Sequence, residues 1–233
     1  MSEPRADDPF SSLEDKRVAE VLQSHYSKAK WQTFSIVRHL LPHIPSMLFR
    51  RTVPLPESDM HGFYADKYLC ISAHQGAFLY LTARTLRART IVEFGTSFGL
   101  STMWLAAAVR ANGGGRVVTA ELVPEKARIA RRNFEEAGLA DLIEVRVGDA
   151  VENLKSDPSD IDFVLNDGLP SRTADLVRLL APRIRPGGVV LTDDVGGFRG
   201  NYKEYLVYIR DRANGFDSTM ISLRGEMEYS VRR

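Results

Sequence analysis

The stretch Ile91-Val92-Glu93-Phe94-Gly95-Thr96-Ser97-Phe98-Gly99-Leu100-Ser101-Thr102 decides how this chain is read. A β-branched apolar run ends in an acid. Gly95 and Gly99 then bracket a short loop, and Met103-Trp104-Leu105-Ala106-Ala107-Ala108-Val109 continues as a helix. Strand, glycine loop and helix in that order let a ligand approach the backbone and meet a helix N-terminus. Two later apolar runs also end in acids. Glu121 closes one, and Gly148-Asp149-Ala150 closes the next.

Outward from this stretch, an alternating pattern begins at Thr90. Apolar runs predict strands over 90–94, 116–121, 143–147, 161–166 and 188–193. Helical patterns fall between them at 100–111, 124–137, 150–154 and 172–181. Such alternation builds βαβ units and a parallel sheet. Gly138 and Gly187-Gly188 stand where helices stop and strands start. Beyond Gly200 come a helix (201–212), a strand (216–222), a turn at Arg224-Gly225 and a strand (226–231), the last two forming an antiparallel hairpin. The expected fold is α/β: a doubly wound, mostly parallel, seven-stranded sheet with a C-terminal antiparallel hairpin and an N-terminal helical cap.

Residues 1–12 read as disordered, 13–89 as the helical cap and substrate segment, and 90–233 as the core of a single domain. Within the cap, helices are predicted over 13–26 and 31–41. Pro42, Pro45, Pro54 and Pro56 predict an irregular crossing over 42–62. Further helices are expected to begin near Asp66 and Ser72. Composition fits this picture: 233 residues at 44% hydrophobic suit one soluble domain with a sizeable core. A net charge of +1 gives no electrostatic case for a nucleic-acid or membrane partner. No apolar run reaches the ~18 residues of a spanning helix. The first residues lack the apolar segment of a signal peptide, so the expected compartment is the cytoplasm. Cys70, the one cysteine, excludes an intrachain disulfide and reads as a small core residue.

Three successive strand ends carrying an acid resemble a class I S-adenosylmethionine (SAM) methyltransferase. The resemblance implies a cofactor-binding set of Glu93, Gly95, Thr96, Ser97, Gly99, Ser101, Glu121, Leu122, Gly148, Asp149, Ala150 and Asp167. Gly95 and Gly99 would keep Cβ atoms clear of the ligand, and Ser97 and Ser101 would hold the methionine carboxylate. Glu93 would accept from the amino end or brace the loop. Glu121 would accept from both ribose hydroxyls; the alternative is a solvated strand-end acid. Asp149 and Ala150 would meet the adenine, with an N-cap role for Asp149 as the competing reading. A nicotinamide dinucleotide is the runner-up ligand, but its Gly-x-Gly-x-x-Gly spacing is not met by Gly95-Thr96-Ser97-Phe98-Gly99.

Over roughly 64–233 the chain is similar to the catechol O-methyltransferase-like branch. The similarity is carried by Ala65-Asp66-Lys67, Gln75-Gly76, the 92–102 loop, Thr119-Ala120-Glu121, Gly148-Asp149-Ala150, 162–168 and 185–195. It implies that Asp167, Asp193 and Asp194 bind a divalent cation, usually Mg²⁺, with Asp194 in place of the family's more common Asn. Three oxygen ligands beside open positions suit that ion. The competing reading has these acids complementing helix N-termini or the sulfonium without a metal. The family's general-base Lys falls at Pro170, which cannot take a proton. His74 and His61 are the alternative bases, and Asp167 and His74 the candidate catalytic pair. Arg172 suits a carboxylate or phosphate clamp.

Trp31, Phe34, Met47, Leu48, Phe49, Phe63 and Tyr64 are candidate pocket or dimer-interface residues. A homodimer is implied by the resemblance alone. Three functions stay open. One is metal-assisted methyl transfer to a hydroxyl of a small molecule, in secondary metabolism. The second is metal-independent transfer to an amine, carbon or carboxylate acceptor, a peptide among them. The third is a non-catalytic SAM-binding protein.

Overall fold

The first-quoted run forms β1 (Thr90–Phe94), and its alternation divides the molecule into two layers. Ile91 points to one face of the sheet, and Val92 and Phe94 to the other. The computed structural model describes residues 8–50, 52–53, 56–156 and 158–233. Beside β1 lie β2 (Arg116–Glu121), β3 (Ile143–Val147), β4 (Ile161–Asn166), β5 (Ile184–Thr192), β6 (Phe216–Ser222) and β7 (Glu226–Arg232). Their order is β3-β2-β1-β4-β5-β7-β6. All pairs are parallel except those of β7, which runs antiparallel to β5 and to β6. The chain leaves β1 toward β2 on one side and returns to β4 on the other. That reversal is the switch point, where ligands of such sheets bind.

Two cores result. Ile91, Phe163, Leu165 and Val189 pack under α4 (Ala73–Thr85), α5 (Leu100–Ala111) and α6 (Pro124–Ala137). Val92, Val164 and Val190 pack under α7 (Ala150–Asn153), α8 (Pro170–Leu180) and α9 (Lys203–Arg210). Trp104, Phe134 and Tyr205 are fully buried; an aromatic side chain taken out of water contributes about 1.5–3 kcal/mol.

The seven strands fall where the sequence predicts them, with β5 starting four residues earlier than expected, at Ile184. Pro170 opens α8 at its first position, in the turn whose N–H groups have no intrahelical acceptor.

The cap departs further from expectation. The two predicted helices are one, α1 (Lys16–Leu40), capped by the Asp15 carboxylate. Nothing in Ser27-Lys28-Ala29-Lys30 breaks a helix, so it runs on until Pro42. The 42–62 crossing holds two short helices, α2 (Ile44–Arg50) and α3 (Glu57–His61). No helix starts at Asp66. The Gln32 side chain takes over that backbone, donating to Asp66 O at 3.0 Å and accepting from Tyr68 N at 2.8 Å. Ser72 does start α4, with a capping box to Gln75. The expectation of disorder over 1–12 fails at Pro9–Ser12, a 3-10 turn whose Phe10 ring stacks on Trp104. Residues 1–7, Arg51, Pro54 and the Leu48 side chain lie outside the described residues. No helix among the described residues is long and apolar enough to cross a membrane.

Candidate active site

At the switch point the strand ends enclose a cavity of about 280 Å³. Gly95, Ser97, Glu121, Leu122, Gly148, Asp149, Ala150, Asp167 and Asp194 of the predicted set line it. Ile36, Leu40, Val53, Met60 and Tyr64 of the cap, with Leu69 and Phe198, form an apolar wall. Glu93, Thr96, Gly99, Ser101, Asp193 and His74 do not reach the cavity surface.

Glu121 occupies the centre of this arrangement. One carboxylate oxygen accepts from Ser97 N at 2.7 Å, the other from Val123 N at 2.8 Å. It thereby pins the glycine loop and the turn after β2, and each oxygen keeps lone pairs free to face the cavity. Burial pushes the carboxyl up; the Val123 and Ser97 N–H groups, Lys126 and His61 hold it down. Ser97 sits at φ +49, and its buried hydroxyl has no hydrogen-bond partner among the described residues. A buried hydroxyl without a bond is costly, so a ligand atom is the natural partner.

Glu93 braces the loop from beneath. It is fully buried and accepts from the Thr102 and Thr119 hydroxyls, while Thr119 also meets Thr96 at 2.6 Å. Protein packing alone already requires glycine at both loop positions. A Cβ on Gly95 (φ +100) would lie 2.3 Å from the Asp167 carbonyl, and one on Gly99 (φ +86) 2.2 Å from the Phe134 ring. Asp149 takes the N-cap reading, capping α7 through Glu152 N, and it also lines the cavity. Its carboxylate also pairs with Arg172 at 2.9 Å, so Arg172 is a tethered cation rather than a free clamp.

Asp167, Asp193 and Asp194 converge at the ends of β4 and β5. Asp167 is pushed far up by burial and then by the charges of Asp193 and Asp194. Asp193 is pushed up to about 7 by burial and by Asp194. One of its oxygens accepts from Gln75 Nε2 at 2.8 Å. Among the described residues, no group of three or more His, Cys, Asp or Glu side chains is arranged to hold a metal ion. The donor chemistry fits a hard cation, since all three groups offer carboxylate oxygens.

His74 lies on the first turn of α4, half-buried, beside Gln75. His61 lies at the end of α3, close enough to Glu121 to lower its pKa. Two cavity residues escaped sequence reasoning. Lys126 is 3% exposed, and burial lowers its pKa. Its signal was a lysine on the stripe Lys126, Ala130, Phe134, Ala137 that α6 buries. Tyr202 is buried beside the three aspartates, and burial and their charges keep it a phenol. No motif marks it. Of the aromatic candidates in the cap, Tyr64 lines the cavity; Phe63 stacks on His39, and Trp31, Phe34 and Phe49 face outward.

The sheet order and this cradle define a class of protein: a doubly wound α/β fold whose strand-end acids and glycine loop suit a nucleoside-bearing ligand. A methyltransferase domain family matches residues 92–195. A catechol O-methyltransferase of Mycobacterium tuberculosis is 38% identical over 54% of this chain and 57% of its own length. One of Niastella koreensis is 32% identical over 70% of this chain and 74% of its own. The match to the first relative thus spans little more than half of that protein. The crystal structure of an O-methyltransferase from Bacillus cereus in complex with SAH has a TM-score of 0.66 at 25% identity, covering 85% of this chain and 97% of the other. The chain belongs to the SAM-dependent O-methyltransferases of the catechol O-methyltransferase type.

Proposed function

We propose that this protein transfers a methyl group from SAM to a hydroxyl of a small molecule, with a divalent cation at Asp167, Asp193 and Asp194. The observation that carries the reading is the position of Glu121, anchored by two backbone N–H groups and open to the cavity. Glu121 accepts from the ribose hydroxyls, and Ser97 Oγ meets the methionine end. Asp149 and Ala150 meet the adenine. The apolar wall from the cap excludes water and holds the acceptor. SAM supplies the methyl as a sulfonium, and the cation supplies Lewis acidity toward the acceptor oxygen. Charge balance supports the cation: among the described residues, none of the three carboxylates is paired with a Lys, Arg or His.

Pro170 falls where the resemblance implies a basic lysine and carries no proton-accepting side chain, so the acceptor proton would leave by another route. That observation favours a second reading, metal-independent transfer to an acceptor that needs no base. We also propose a homodimer, supported by the exposed aromatic face of α1. Calorimetric titration of chelator-treated protein with SAH, then with Mg²⁺, tests the function. SAH binding followed by a metal signal that is lost in Asp193→Ala is the expected result. SAH binding with no metal signal, and turnover that survives chelation, selects the second reading. No SAH binding overturns both.

A further inference from the structure

Lys126 lies five residues beyond Glu121, in the first turn of α6. Lysines on a buried helical stripe ordinarily snorkel outward, carrying the charge to water. Lys126 does not: it is 3% exposed, lines the cavity, and its ammonium lies over the Phe98 ring, 5.5 Å from the centroid. Among the described residues, no acceptor lies within hydrogen-bond distance of that ammonium. Burial disfavours that charge, and a nearby anion offsets part of the cost. Two carboxylates attract it, Glu121 within the cavity and Asp66 in the cap. Asp66 is exposed and bonded to Lys67, which leaves Glu121 as the buried partner.

We propose that Lys126 is a positioning residue for the cofactor, holding Glu121 in the anionic form that accepts the ribose hydroxyls. The inference rests on the reading of Glu121 as the ribose acceptor. Both Glu121 oxygens face donors, Ser97 N and Val123 N, and the ribose would add two more. A proton on one Glu121 oxygen would set donor against donor there, weakening its hold on a backbone N–H and on the ligand. Burial drives the carboxyl toward that state, and a cation in the same cavity opposes it. The other charged groups are His61 and Glu93 facing Glu121, and Asp66 and the Cys70 thiol facing Lys126. All of these are common to the variants below, so their contributions cancel in the comparison.

The test is SAH affinity, by calorimetry, over a pH series from about 8.5 down to about 5.5, where one unit of carboxyl shift reads as up to tenfold in affinity. The wild type, Lys126→Met, Lys126→Gln and Lys126→Arg are compared, each first shown to melt cooperatively. The expected result is a loss in the Met and Gln variants that grows by roughly tenfold toward low pH, with Lys126→Arg restoring the wild-type profile. In a Glu121→Gln background the extra pH dependence should vanish. Profiles that run parallel to the wild type overturn the proposal, as does an extra pH dependence that persists in Glu121→Gln. No SAH binding by the wild type overturns the cofactor reading and this proposal with it.

Discussion

Glu121 joins two jobs in one side chain, tying two backbone loops together and facing the cavity. Glu121→Ala should therefore lower SAH affinity by roughly 10- to 100-fold, the ~1.5–3 kcal/mol of a hydrogen bond to a charged group. It should also lower unfolding free energy in urea by about 1–3 kcal/mol, since two backbone donors lose their acceptor. Unchanged affinity would remove Glu121 from the site. Asp193 makes a prediction of unusual sign. Its folded pKa is raised to about 7, so in the window below that value the folded chain keeps a proton that the unfolded chain has lost. Stability then falls as pH rises through the window. Chelator-treated, cofactor-free protein should melt higher at about pH 5 than at about pH 8, and Asp193→Asn should reduce that slope. The acids were legible in the sequence because each ends an apolar run. Lys126 carried only the faint signal of a lysine on the buried stripe of α6, and Tyr202 carried none, because a one-dimensional pattern does not say which polar tips turn inward.

Close packing of α4 on α5 inverts a familiar substitution. Gly76 lies inside α4, where Ala is ordinarily favoured by about 1 kcal/mol. A Cβ at Gly76 would stand 2.2 Å from the Trp104 indole nitrogen, and Trp104 is fully buried with its ring wedged against Phe10 and Tyr80. Gly76→Ala should cost about 1–3 kcal/mol, the range of an overpacked core, as read from the urea midpoint. A stabilised variant would mean that the helices separate freely. The same contrast of local and tertiary signals explains what the sequence revealed. The strands were legible because β-branched runs repeat between glycines at regular distances. The cap was harder. The absence of any breaker over Ser27–Lys30 had to be weighed against a lapse in apolar spacing, and the turn at Asp66 is imposed by the Gln32 side chain from 34 residues away. Proline spacing warned of irregularity over 42–62 but could not locate the short helices that prolines permit at their first turns.

At the scale of the whole molecule, the apolar surface is unevenly shared. Trp31, Phe34, Val37 and Leu41 recur at helical spacing along the second half of α1 and just beyond it, and all are exposed; Ile44 and Phe49 on α2 are exposed as well. Trp31 is 89% and Phe49 87% exposed, values at odds with side chains whose burial contributes most to folding. An aromatic buries about 150–250 Å² when covered. The three exposed aromatics and three exposed aliphatics between Trp31 and Phe49 together approach the ~800 Å² per partner of a standard interface. A two-fold pairing of two such faces would be self-complementary, because each copy presents the same stripe. It would also cover the outer side of the helix whose inner residues Ile36 and Leu40 line the cavity, so association and the acceptor wall share one element. Trp31→Glu combined with Phe34→Lys should convert a dimer into a monomer in light scattering, leave SAH affinity within about threefold, and weaken acceptor binding as α1 loosens. A wild type that is monomeric at micromolar concentration would leave this stripe to another partner, and a double variant that stays dimeric would move the interface off α1.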